Sequence, residues 1–179
     1  MEFSRLLEER RSIRAYKDGE SVSRENIEAM IYAAQQAPSW KNSQTGRYYI
    51  ALSDKAVSEL RERCLPSFNY DRTANVLAFI VTAYKKGISG FKPDGEPTDA
   101  SGNGWGAYDL GLQNENLLLK ARELGYDTLI MGLRREELLR EMLSIAEDEI
   151  VMSVIALGKR ANDPEKPERK PIGEIARFF

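Results

Sequence analysis

A chain of 179 residues, 42% hydrophobic and 30% charged, is long enough to bury a core of its own and reads as one domain, residues 1–179. Its formal charge of −2 excludes a sequence-independent nucleic-acid binder, which needs a basic surface to release counterions. A lone cysteine, Cys64, excludes an internal disulfide and fits a reducing cytoplasm, and the lack of any histidine excludes His-based triads and the usual zinc sites.

The opening Met-Glu-Phe-Ser-Arg lacks the basic head and apolar run of a signal peptide, and no later apolar run approaches the roughly 18 residues that span a bilayer. Phe3, Leu6 and Leu7 instead pattern a short amphipathic helix ending near Glu9. Arg10–Tyr16 (Arg-Arg-Ser-Ile-Arg-Ala-Tyr) follows. In extended backbone Arg10, Ser12 and Arg14 share one face, while Arg11, Ile13 and Ala15 share the other. Two guanidinium forks flanking a hydroxyl suit phosphate oxygens, although the run also suits a solvated helix end.

Ser23 is a candidate N-cap for a helix carrying Ile27, Met30, Ile31 and Ala34 at i, i+3, i+4, i+7, stopped by Pro38. In the loop Ala37–Gln44 (Ala-Pro-Ser-Trp-Lys-Asn-Ser-Gln), the side chains of Ser39, Asn42 and Gln44 can read the carbonyl and N–H edge of a planar heterocycle. They equally suit the plainer task of capping the helix before and starting the strand after. Arg47–Leu52 has strand composition, and Ser53 or Asp54 caps a helix with Val57 and Leu60. Asn75–Tyr84 is nearly continuous in apolar residues, as expected of a strand covered on both faces.

Residues 85–104 hold five glycines and two prolines without periodicity, which predicts a loop, either an active-site lid or a disordered excursion. Trp105–Leu124 is the longest predicted helix. Its apolar residues run most of the way round, so part of its surface is expected to be covered by a second subunit, and Gly125 suits its C-terminal turn. The glycines of 102–106 lack the strand and spacing of a dinucleotide fingerprint and read as a helix entrance. A strand at Tyr126–Met131, a helix at Arg135–Leu143 and a strand at Ile150–Leu157 complete the pattern. Beyond them, 159–179 forms a basic strap (Lys159–Lys170) and an apolar arm ending Arg-Phe-Phe, expected to dock rather than fray.

Together these stretches resemble the nitroreductase family of flavin-dependent oxidoreductases. Arg10–Tyr16 is similar to the family's opening Arg-(Arg/His)-Ser-x-(Arg/Lys)-x-aromatic segment, and Ala37–Gln44 to its Ala-Pro-Ser-x-x-Asn-x-Gln loop. Asn116–Gly125 resembles the end of the family's interface helix, and Ile130-Met131-Gly132 its turn under the flavin. The closing Ala-Leu-Gly, basic strap and apolar tail are similar too, with order and spacing kept along essentially the whole chain.

The resemblance implies an α+β fold of three layers, α/β/α: a mixed central sheet flanked by helices, in a homodimer with an exchanged C-terminal tail. It implies FMN at the subunit interface and NAD(P)H as co-substrate, with ping-pong hydride transfer through flavin N5 to a nitroaromatic, quinone or similar acceptor. Arg10 would hold the phosphate, with Arg11 and Ser12 beside it, and Arg14 would lie at N1 and O2 of the ring. Pro38, Ser39, Asn42 and Gln44 would approach from the other subunit, while the main chain of Ile130, Met131 and Gly132 would face N5. Lys166 and Arg169, or alternatively Lys159, would close the strap on the phosphate, and no side chain is assigned a catalytic role. The chain departs from the family's Gln-Pro-Trp at Gln44-Thr45-Gly46, and from its usual Pro or Glu under N5 at Ile130 and Met131. A flavin carrier or sensor without turnover, or specialised flavin chemistry such as flavin destruction or reductive dehalogenation, are the alternatives on the same fold.

Overall fold

The computed structural model describes residues 2–179. Its helices are α1 (Phe3–Glu9), α2 (Arg24–Gln35), α3 (Asp54–Cys64), α4 (Ser67–Asp71), α5 (Gly104–Glu123), α6 (Glu136–Leu143) and α7 (Ile172–Ile175). Its strands are β1 (Gly46–Ala51), β2 (Ala78–Lys85), β3 (Asp127–Met131) and β4 (Glu149–Gly158). The strands form one antiparallel sheet in the order β1-β2-β4-β3. The sheet is antiparallel where a mixed one was expected; the parallel pairing at its β3 edge is one isolated bridge, from Ser12 to Thr128.

The alternation along β2 builds the two cores. Phe79, Val81 and Ala83 point to one face, where α3 and α6 pack with Leu60, Cys64 and Leu139. Ala78 and Ile80 point to the other, where α2 and α5 bring Ile27, Met30, Leu117 and Ala121. A strand buried on both faces leaves no position for a polar side chain unless it is paired, which explains the continuous apolar run. Thr82, the polar exception in β2, meets Ser153 of β4 at 2.8 Å between hydroxyl oxygens.

Local chemistry sets several boundaries. Ser23 accepts the Asn26 N–H and Ser53 the Ala56 N–H, so Ser53 rather than Asp54 caps α3. At the end of α5, Gly125 takes φ +83° and the Tyr126 N–H reaches the Ala121 carbonyl at 2.9 Å, the closure a left-handed C′ glycine permits. The strand expected from Asn75 starts only at Ala78, because Asn75 sits at φ +60° and donates to the Tyr16 carbonyl. The turns α4 and α7 carry no periodic pattern and were not legible in the sequence.

Residues 85–104 form an ordered excursion rather than a disordered one. Lys92 and Glu96, Gly90 and Thr98, and Phe91 and Pro97 pair into a small hairpin, and the Gly87 N–H donates to Asn103 Oδ1 across its base. Within one chain, helix α5 is covered on part of its surface, and that part is not purely apolar. Leu110, Leu117 and Leu118 are buried, but so are Asp109, Gln113 and Asn114, whereas Tyr108 is 59% exposed.

Candidate functional site

The segment after α1 is extended and held along β3. The Ile13 N–H donates to the Thr128 carbonyl at 3.0 Å, and the Ala161 N–H donates to the Ala15 carbonyl at 2.9 Å. Ile13 is buried, so its neighbours Ser12 and Arg14 point the other way and stay exposed, while Tyr16 further along is buried again. Tyr16 packs its ring so closely on Gly158 that a Cβ there would meet it at 2.6 Å. Its hydroxyl donates to the Ile13 carbonyl at 2.9 Å, and burial, then the Asp127 charge, pushes the phenol far above its ordinary range.

A residue outside the sequence-based set anchors this arrangement. Arg160 donates to the buried Asp127 carboxylate at 2.6 and 2.9 Å and to the Glu9 carbonyl at 3.0 Å. Arg122 joins Asp127 and Glu9 from α5, so one charge cluster ties α1, β3, α5 and the root of the strap. The hydrogen bonds of Arg5 and Arg122 hold the Glu9 carboxyl below its usual range.

The predicted cations take distinct positions. Arg10 lies 3.8 Å from Glu115 of α5. Arg11 turns back to the carbonyls of Glu8 and Arg10, and its Nε is buried without a partner among the described residues. Lys166 reaches Glu8, next to the same segment. Lys159 instead pairs with Glu20 at 3.0 Å, and Arg169 donates only to the nearby carbonyls of Pro167 and Glu168.

Arg14 opens onto a cleft of about 310 Å³ lined by Phe68, Asn69, Arg72 and Leu129–Leu133. Ile130 is 47% exposed in it, the Met131 side chain is buried beneath, and nothing stands within 4 Å of a Cβ built on Gly132. Asn69 donates to the Leu133 carbonyl at 2.8 Å, and the Arg72 guanidinium lies 4.7 Å from the Phe68 ring centroid. Sequence reasoning missed Asn69 and Arg72. The i, i+3 spacing of an amide and a cation was the available signal, but without the α4 turn it had no face to belong to.

The loop 37–44 forms the second half. Lys41, Asn42 and Gln44 all adopt left-handed backbone, at φ +46°, +56° and +50°. Ser39 accepts the Gln44 N–H at 3.1 Å and Gln44 donates its amide to Asn42 at 3.2 Å, so the three predicted readers form one hydrogen-bonded group beside the exposed Pro38. This group precedes β1, whose first residue Gly46 aligns with Tyr84 and through it with Ile150. Ser12 lies at the far edge, beside Thr128, which aligns with Leu157. Four inter-strand steps of about 4.8 Å each and opposite strand ends separate them. A single chain therefore does not bring its cation segment and its amide loop onto one small molecule.

One chain therefore carries a cationic segment, an open cleft with Ile130 exposed in it, and a separate group of amide and hydroxyl side chains. Over residues 7–159 the sequence matches the model of the nitroreductase family. A protein of Archaeoglobus fulgidus, provisionally named NADH dehydrogenase/NAD(P)H nitroreductase, is 32% identical over 159 residues, covering 86% of this chain and 83% of that one. A provisionally named NAD(P)H nitroreductase of Bacillus subtilis is 26% identical over 99% of this chain and 97% of its own length. In fold, a provisionally named nitroreductase of Exiguobacterium sibiricum, solved in complex with FMN, superposes with a TM-score of 0.87 at 24% identity, covering 100% of this chain and 98% of that one. The chain belongs to the nitroreductase family.

Proposed function

We propose that this protein is an FMN-dependent NAD(P)H oxidoreductase that works as a homodimer. The observation that carries the reading is the placement of Arg14, Arg72 and Asn69 around a cleft floored by Ile130 and Gly132, with Arg10 and Ser12 on the segment that leads to it and Lys166 of the strap paired with Glu8 beside that segment. The donor set fits FMN. Arg10 and Ser12 suit its phosphate, Lys166 can leave the exposed Glu8 for the same anion, and the Arg10–Glu115 contact is long enough to yield. Arg14 and Arg72 supply two positive charges for the pyrimidine edge of the ring. Ser39, Asn42 and Gln44, with Pro38, would come from the partner, because their own chain holds them at the opposite edge of the sheet.

Bound FMN supplies two-electron chemistry, accepting hydride from a reduced nicotinamide and delivering it to an oxidised acceptor. The protein's part is to bind, orient and polarise. Guanidinium charges placed at the edge of the ring favour its electron-rich state. Gly132 leaves the space above the floor open for a second planar molecule. The excursion 85–104 serves as a lid, and 159–179 as the strap and exchanged arm.

The test is direct. Purified protein is expected to be yellow, with FMN rather than FAD released on denaturation, and to bleach rapidly in anaerobic NADH or NADPH. Flavin bound but reduced by neither nicotinamide would sink the oxidoreductase reading and leave a carrier.

A further inference from the structure

Helix α5 carries a stripe of polar residues that its apolar composition conceals. Asp109, Gln113 and Asn116 lie at i, i+4 and i+7, on one face. Each ends on a different part of the amide loop's surroundings. Asp109 Oδ2 accepts the Trp40 N–H at 3.0 Å, Gln113 accepts the Tyr48 hydroxyl at 3.1 Å, and Asn116 donates to the Ala33 carbonyl at 3.2 Å. The stripe thus fixes the end of α2, the loop and the start of β1 on one rigid helix.

Asp109 is the centre of it. The side chain is 2% exposed and also accepts the Ser89 hydroxyl at 2.8 Å. Ser89 belongs to the excursion 85–104, is itself buried, and stands 2.7 Å from the Ser43 hydroxyl and 3.3 Å from that of Thr45. The Ser89 hydroxyl has one proton, which it donates to Asp109, so Ser43 must donate to Ser89. Two loops remote in sequence are thereby tied to one carboxylate. The ties flank the left-handed residues Lys41 and Asn42, whose backbone conformation needs its surroundings to hold it.

We propose that Asp109, acting through Ser89 and the Trp40 amide, is the positioning residue that sets the 37–44 loop and fastens the lid to it, so that Ser39, Asn42 and Gln44 meet the flavin as one pre-formed surface. The proposal rests on the FMN reading above. It makes the lid and the reading loop move together, because both hang on the same carboxylate.

The loop's seat has a flavin-independent signature, because Trp40 packs against Trp105 with ring centroids 4.7 Å apart and the planes tilted by 50°. Such a pair gives an exciton couplet in far-ultraviolet circular dichroism. In the FMN-free protein, Asp109→Ala is expected to lose the couplet and Ser89→Ala to weaken it, while both still unfold cooperatively. Asp109→Asn, which keeps one acceptor oxygen, should fall between Asp109→Ala and wild type. In titrations with FMN, Asp109→Ala and Ser89→Ala should bind at least tenfold more weakly, with Asp109→Asn partly rescued. Should Asp109→Ala not fold, Ser89→Ala decides alone, since it leaves the Trp40 bond to Asp109 in place. An undiminished couplet with wild-type FMN affinity in Ser89→Ala would overturn the proposal. So would a weakened or lost couplet with unchanged affinity, which would leave the cluster merely structural. Failure of wild type to bind FMN would instead sink the functional reading, and the couplet would still report whether Asp109 sets the loop.

Discussion

At the scale of single residues, charge placement carries the chemistry. Arg14 and Arg72 share the cleft, so removing one leaves the other and the effect should be graded rather than total. Arg14→Ala is expected to lower the two-electron potential of the bound flavin, by roughly 30 mV if about 1.4 kcal/mol of charge interaction is lost. Arg14→Lys should recover much of it, since the charge remains while the fork is lost. A spectroscopic redox titration of the three proteins checks this, and an unchanged potential in Arg14→Ala would remove Arg14 from the flavin's edge. A second residue-scale prediction concerns pH. Burial, then the 2.6 Å hydrogen bond to the buried Glu149, pushes the Tyr49 phenol up to about 12. A raised folded value favours the protonated phenol in the native state, so its stabilisation is complete below the unfolded value near 10 and is lost between about 10 and 12. Denaturation midpoints should fall across that window and fall less in Tyr49→Phe. The same variant should cost about 1.5–3 kcal/mol at neutral pH, because Glu149 loses its donor.

At the scale of elements, the cation segment is placed by packing as well as by hydrogen bonds. It has no regular structure of its own, and its register on β3 depends on the contact of Tyr16 with Gly158 at the end of β4. Gly158→Ala puts a methyl group into that ring, which is buried and hydrogen-bonded, so the segment must shift outward. Overpacking of this kind costs about 1–3 kcal/mol. The expected outcome is a lower melting temperature together with weaker FMN retention, although Gly158 would touch no flavin. Retention equal to wild type would show that Arg10, Ser12 and Arg14 hold their positions without the Tyr16 anchor.

At the scale of the whole molecule, the unpaired apolar surface points to a second chain. Phe3 and Tyr32 are exposed by 63% and 66%, and a groove of about 300 Å³ lined by Phe3, Leu6, Ala33 and Leu119 lies open beside α5. The arm exposes Ile172, Ile175, Phe178 and Phe179. Surfaces of this kind are uncommon on a monomer, and the proposed homodimer with crossed arms would cover them. Deleting 172–179 is expected to weaken both the dimer and FMN binding, because the strap that carries Lys166 loses its anchor. Sedimentation and flavin fluorescence measure the two losses together; a stable monomer that retains FMN would contradict the arrangement.

The sequence by itself determined most of the elements and marked the segments proposed to meet the cofactor. The period of Ile27, Met30 and Ala34, the unbroken apolar run of β2 and the Arg-Arg-Ser-x-Arg spacing are local patterns, and local patterns survive without knowledge of neighbours. What the tertiary structure alone decided is which of those residues share a site. Asn69 and Arg72 join Arg14 because α4 folds beside the end of β3, and Arg160 rather than Lys159 turns to Asp127 at the root of the strap. Asp109 reads in the sequence as a lone carboxylate on an apolar helix; only the packing of two distant loops against α5 makes it the centre of a buried network. The physical reason is common to all three. Hydrophobic periodicity is written in consecutive residues, whereas a polar side chain's partner is whatever the completed fold brings within about 3 Å.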